Sequence, residues 1–249
     1  MRTWSGFLQD FFHTGQSLET FESCPLKFCK RYYEGLRWDR PLDAEERAAI
    51  DRGTAFHMLA RRYFLGVDCG LEEGARDYGI LAGWLKSLKE SFPLREDVRY
   101  LPEYKLRCES VDMRLEANFD LVVVQDGKLE IWDWKTHSAK AAHRASQAEK
   151  LEKSLQTTVY LFTLKERSAA VFGREFDFDD ITMCYWQPEP AQTIAHITCS
   201  RALHERFKGR LTQLMKSIEA FDAGSFDKSL YSKHCKYCEF NWYCNREEI

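Results

Sequence analysis

Asp133 and Lys135 stand two residues apart, and Asp120 precedes them at the far end of what reads as a hairpin. Asp126-Gly127 lies between two strand-like runs, and that dipeptide suits a type I′ turn, which needs positive φ at both central positions. A two-residue turn sets the register. With Gln125 opposite Lys128, Val124 faces Leu129, Val122 faces Ile131 and Asp120 faces Asp133, all six on one face. Facing β-carbons in such pairs are about 4.5–5.5 Å apart, so the two carboxylates repel unless one is protonated or a cation lies between them. Hard oxygen ligands suit Mg²⁺ or Mn²⁺. Lys135, on the same face, is placed to steady an anionic transition state or to help orient and deprotonate a water. An isolated D-x-K tripeptide carries little weight, because a solvated strand end has the same spelling.

Further segments give it context. Gly53-Thr54-Ala55-Phe56-His57 spells G-x-x-x-H in a helical stretch, and Phe119-Asp120-Leu121 leads into the turn. Asp133-Trp134-Lys135-Thr136 follows it, and Gln156-Thr157-Thr158-Val159-Tyr160 spells Q-x-x-x-Y, its two ends one turn apart on one helix face. Singly, His57 reads as a satisfied core histidine, and Gln156 with Tyr160 as helix packing. In this order the set resembles the PD-(D/E)XK nuclease superfamily, and within it the RecB-type exonucleases; the D-x-K-T form is equally similar to the CRISPR-associated adaptation nucleases and their phage-encoded relatives. The resemblance implies an α/β, restriction-endonuclease-like fold with a mixed central sheet flanked by helices. It implies that His57, Asp120 and Asp133, with the carbonyl of Trp134, hold one or two Mg²⁺ or Mn²⁺ ions, and that Lys135 is catalytic. Gln156 and Tyr160 would support the site or contact the strand, and Glu103 corresponds to an acidic residue on the strand before the hairpin. Ala117 departs from the pattern, since glycine usually stands three residues before the second-motif aspartate.

Nine cysteines are distributed unevenly, and Cys235-x2-Cys238-x5-Cys244 brings three thiolates onto one short loop. In a reducing compartment such clustering points to metal, not disulfides, and a tetrahedral site needs a fourth ligand. Ser23-Cys24-Pro25-Leu26-Lys27-Phe28 is similar to the segment that supplies the first cysteine of the iron–sulfur nucleases of this superfamily. The resemblance therefore implies a 4Fe–4S cluster on Cys24, Cys235, Cys238 and Cys244, structural in role. Spacing alone also admits Zn²⁺, with Cys29 and His234 as substitute ligands. Cys69, Cys108, Cys184 and Cys199 stand in apolar or strand contexts and read as small core residues.

Elements must hold these groups in place. Asp43 with Glu46 reads as a capping box opening a helix to Leu65, and a second helix is expected over Leu71–Ser91. Strands are expected over Glu103–Cys108, Met113–Gln125, Lys128–Lys135, Asp180–Gln187 and Gln192–Thr198. Ser146 with Glu149 opens a predicted helix to Arg167, and a last amphipathic helix spans Ser200–Phe221. The sequence divides into an N-terminal segment (1–42) bearing the first cluster cysteine, a nuclease core (43–223) and a cysteine segment (224–249) packed with the N-terminal one. Phe21 to Arg40 interleaves Lys27, Lys30, Arg31, Arg37 and Arg40 with Phe28, Tyr32, Tyr33 and Trp38; it reads as a strand-binding surface, with Lys27, Lys30 and Arg31 as nucleic-acid contacts, or as an amphipathic helix with a solvated basic face.

Composition sets the outer bounds. A chain of 249 residues, 44% hydrophobic and with 6 Pro and 13 Gly, excludes disordered and collagen-like classes. No stretch is long and apolar enough to span a bilayer, and no apolar run suits a secretory signal, so a cytoplasmic chain is expected. The net charge of −3 gives no global attraction to a polyanion. No G-x-x-x-x-G-K-[ST] loop occurs, so any helicase motor acts in trans. The expected function is a metal-dependent exonuclease on single-stranded DNA or DNA ends, in recombination, repair, phage DNA processing or CRISPR adaptation. Its partners would be the DNA and a helicase, recombination or adaptation protein. The competing readings are an idle nucleic-acid-binding scaffold and an endonuclease.

Overall fold

The computed structural model describes residues 3–37, 42–136, 144–236 and 238–244. The hairpin forms as the sequence predicts. Asp126 and Gly127 have φ of 47° and 81°, joining β2 (Arg114–Gln125) to β3 (Lys128–Trp134). The register runs Gln125↔Lys128, Val124↔Leu129 and Val122↔Ile131 and ends at Leu121↔Trp132. It stops one pair short of the expected Asp120–Asp133 apposition, because the Trp134 N–H donates to the Asp120 carboxylate at 2.8 Å.

β1 (Arg99–Glu109) pairs antiparallel with β2. β4 (Ile181–Pro188) lies parallel to β3, and β5 (Ala191–Thr198) antiparallel to β4, giving a mixed sheet in the order β1-β2-β3-β4-β5. A parallel β3–β4 pair needs a crossover, which α6 (Arg144–Glu152) and α7 (Leu155–Phe172) provide. One face is covered by α2 (Gly15–Ser23), α3 (Pro25–Phe28), α7 and α8 (Arg201–Glu219). The other is covered by α4 (Ala44–Phe64) and α5 (Tyr78–Ser91). This is the restriction-endonuclease-like α/β architecture that the resemblance implies.

Each face carries its own apolar cluster, and the strands show where they change sides. On β2, Leu115, Ala117 and Phe119 face the α7 side, but beyond Asp120 it is Val122 and Val124 that do so, with Leu121 and Val123 on the α4 side. On β1, Tyr104, Leu106 and Cys108 face α7, whereas before Glu103 it is Leu101. The alternation slips by one residue on both strands, at Glu103 and at Asp120.

Helix boundaries depart from expectation in three places. α5 starts at Tyr78 and not at Leu71; Gly70 and Asp77 have φ of 66° and 58°, so the segment between them turns, and the apolar stripe begins only with Leu81, Leu85 and Leu88. The helix expected over Ser146–Arg167 is two helices. Ser154 caps α7 by accepting from Thr157 N–H at 3.1 Å, and α6 already begins at Arg144, with the Ser146 side chain outside the described residues. The basic segment is no single helix: α2 ends at Ser23, Cys24 caps α3, and a π-helical turn covers Cys29–Tyr33. Trp38 and Arg40 lie outside the described residues. Cys108, Cys184 and Cys199 are buried, and Cys69 is half-buried.

Candidate metal centre and catalytic cleft

α4 brings the first ligand. Asp43 and Glu46 form the capping box that starts the helix, and Gly53 lets it approach the end of β3, since a β-carbon there would stand 2.8 Å from Thr136 Oγ1. One turn later the helix delivers His57, whose Nδ1 lies 3.2 Å from Asp120 Oδ1. Glu103 joins them: ligand atoms of His57, Glu103 and Asp120 all lie within 4.8 Å of one another. Glu103 reaches this place with a φ of 50°, a left-handed conformation that disfavours residues with a β-carbon. Neither Glu103 nor Asp120 takes a rung in the β1–β2 ladder.

Asp133 has different company. Lys135 Nζ lies 2.6 Å from its Oδ1, and Gln156 Nε2 donates to its Oδ2 at 2.6 Å. The same amide accepts from Lys135 Nζ through Oε1 at 3.0 Å, so Gln156 closes a three-membered ring of contacts. The Lys135 backbone is pinned by its N–H to Trp186 C=O at 2.8 Å. Tyr160, one turn along α7, donates to Asn118 C=O. The Trp134 ring packs against Phe64, Phe92 and Trp186.

His57, Glu103, Asp120, Asp133, Lys135, Gln156 and Tyr160 line one cleft of about 790 Å³. Burial pushes the Asp133 carboxyl up to about 6, the Asp120 charge adds to the rise, and Lys135 and His57 oppose it. Burial and Asp120 likewise raise Glu103, against His57 and Arg61. For His57 burial works downward, but the hydrogen bond and charge of Asp120 outweigh it and raise the imidazole. Glu103 and Asp120, held this close beside His57, repel each other unless one is protonated or a cation lies between them. Carboxylate oxygens with one imidazole suit a divalent cation such as Mg²⁺ or Mn²⁺, so the donor set fits.

The resemblance names His57, Asp120 and Asp133 as ligands and not Glu103; the structure groups Glu103 with His57 and Asp120. Sequence reasoning missed Arg61, Ile50 and Met58, which line the cleft from α4. Arg61 is four residues beyond His57, so helical spacing alone could have found it.

The cysteines form a second cluster. Cys24, Cys235, Cys238 and Cys244 line one small cavity, with Phe226, Tyr231 and Phe240 among its walls. Cys24 Sγ accepts from Lys27 N–H and Cys238 Sγ from Phe240 N–H, both at 3.4 Å. Burial raises the thiols of Cys24, Cys238 and Cys244; a thiolate set here needs a compensating cation, and the residues fit a thiolate-held metal group. Cys29 instead contacts Glu34, and His234 is exposed. The expected nucleic-acid cations serve this junction. Lys27 and Arg31 pair with Glu239 at 2.7 and 3.6 Å, and buried Lys30 lies over the Tyr243 ring.

A family model for the PD-(D/E)XK nuclease superfamily matches residues 14–245. Among solved structures, a candidate exonuclease from Eubacterium rectale superposes with a TM-score of 0.54 at 9% identity, covering 87% of this chain and 83% of that one. The structure of SSO0001 gives a TM-score of 0.31 at 15% identity over 65% of each chain. No curated protein matches. Among the described residues no helix is long and apolar enough to cross a membrane.

Proposed function

The chain belongs to the PD-(D/E)XK nuclease superfamily, and on that premise we propose that it is a metal-dependent DNA exonuclease of the RecB type, acting on single strands or DNA ends. The observation that carries this reading is the meeting, in one cleft, of the His57–Glu103–Asp120 group with the Asp133–Lys135–Gln156 ring. His57, Glu103 and Asp120, with Asp133 and the Trp134 carbonyl beside them, are the residues that would hold Mg²⁺ or Mn²⁺. Such an ion, when bound, supplies Lewis acidity and an acidified water.

The chain's own groups do the rest. Lys135 presents its ammonium to the charge that grows on the phosphate oxygens. Gln156 is a positioning residue: it fixes Lys135 and Asp133 relative to each other. Tyr160 ties α7 to β2 and so keeps Gln156 at that distance.

For the cysteine cavity the reading is a structural 4Fe–4S cluster. What supports it is that Cys24, Cys235, Cys238 and Cys244 line one cavity walled by Phe226, Tyr231 and Phe240; four thiolates also accept Zn²⁺, which is the alternative. Recombination, repair, phage DNA processing or CRISPR adaptation is the setting this reading suggests, with any motor protein acting in trans.

The test compares wild type and Asp133→Ala on end-labelled single-stranded and double-stranded DNA with Mn²⁺, Mg²⁺ or EDTA. Metal-dependent degradation that disappears in the variant supports the reading, and the product ladder gives polarity. Equal binding without cutting by either protein replaces it with the scaffold reading, and cutting of closed circular DNA with an endonuclease.

A further inference from the structure

One wall of the cleft is not built for a metal. Ile50, Thr54, Met58 and Arg61 follow one another along the face of α4 that bounds it, at the three- and four-residue steps that stack side chains on one helix face. Ile50 is 47% exposed and Met58 56%. Both line the same cleft as His57, Glu103 and Asp120, so apolar surface lies open in the cleft that holds the carboxylates. The tight seat of Gly53 against Thr136 holds the helix in place, and Thr54 turns its hydroxyl back to Ile50 C=O at 3.0 Å, leaving the stripe without a polar group directed outward between its two apolar members.

An apolar wall next to a phosphate-cleaving centre is out of place against the outside of a duplex, which presents charged phosphates. It suits a strand whose base has left its stack, since every base offers an apolar face. Arg61, one turn past Met58, brings positive charge to the same wall and acts on Glu103.

Resting on the nuclease reading, we propose that Ile50 and Met58 pack against the base of an unpaired nucleotide next to the scissile phosphate, while Arg61 holds a neighbouring phosphate. The cleft thereby selects single-stranded or frayed DNA through the base face, without reading base identity.

The experiment uses the full chain with Mn²⁺ on a short single-stranded oligonucleotide and on the same strand made abasic over its terminal residues. Wild type should favour the base-bearing strand about tenfold in kcat/KM, the scale of burying one apolar side chain's surface, and the Ile50→Ser/Met58→Ser double variant should bring that ratio close to one. Arg61→Ala should lower both substrates alike and keep the ratio. An unchanged ratio in the double variant, or no preference in wild type, overturns the proposal. Fluorescence anisotropy of the same strands in EDTA separates the two readings: a base preference in binding that the double variant loses, with no cutting by wild type, sinks the nuclease assignment and leaves the wall standing. Cutting without base preference does the reverse.

Discussion

Glu103 and Asp120 face each other across β1 and β2, and neither enters the ladder that joins the strands on both sides of them. The slip in alternation occurs on both strands at the same level, so the register is the same before and after it. Two carboxylates leave the pleat together and meet His57 at the mouth of the cleft. A bulge on one strand alone would have displaced every later pair by a residue.

Glu103→Gly is accordingly expected to stabilise the fold and weaken the site. The left-handed conformation at Glu103 opposes folding by about 1 kcal/mol for a residue with a β-carbon, and glycine removes that strain. Urea unfolding should show a gain of this size, while Mn²⁺ affinity measured by calorimetry falls. A loss of stability together with unchanged affinity would contradict the arrangement.

Gln156→Ala separates positioning from chemistry. Asp133 and Lys135 both remain, but the amide that spans them is gone. Steady-state kinetics should give a kcat about tenfold lower with KM little moved, whereas Lys135→Ala should lower kcat by about 10²–10³, the scale for loss of one charge-stabilising group. Equal losses in the two variants would mean that Gln156 acts directly on the substrate.

The hairpin and its register are legible in the residues themselves, because a two-residue turn allows only one alignment. So are α8, with its single apolar stripe, and the order of the motifs. The slip at Glu103 and Asp120 is not: Arg99–Glu109 mixes polar and apolar residues too evenly to show a change of face. Nor is the break between α6 and α7, since Ser154 interrupts a pattern whose apolar period continues through it. The basic residues near Cys24 read as a surface because their acid partner, Glu239, lies at the other end of the sequence.

Gly53→Ala should disturb the site from a distance. The added methyl would meet Thr136 Oγ1, pushing α4 and His57 away from Asp120. Activity should fall, and Thr136→Ala in the same chain should restore most of it by removing the hydroxyl. Failure of that rescue would show that the close approach is not what fixes His57.

His13 gives the fold a pH dependence. It is buried against Phe28, and burial lowers its pKa from 6.5 to about 4. A histidine with a depressed folded-state pKa contributes its full stability above the unfolded value, and loses it as pH falls from about 6.5 towards 4. Between neutral pH and pH ~5 the loss is about 2 kcal/mol. His13→Phe should flatten the urea-midpoint profile in that window; a profile identical to wild type would rule this histidine out as the source.

Cys24→Ser should remove iron from anaerobically purified protein together with its visible absorbance, and Cys29→Ser should leave both unchanged. A colourless wild type carrying one zinc per chain would replace the cluster, and full retention in Cys24→Ser would move the fourth ligand elsewhere.

Cys24 and Cys244 line one cavity although almost the whole chain separates them. During synthesis the N-terminal helices therefore leave the ribosome long before their partner exists. Until Cys244 emerges, α3 has no cysteine segment to close on, and Lys27 and Arg31 wait for Glu239. A message truncated just short of that segment would yield a chain that still contains every residue of the cleft, but with one end of its clasp permanently open.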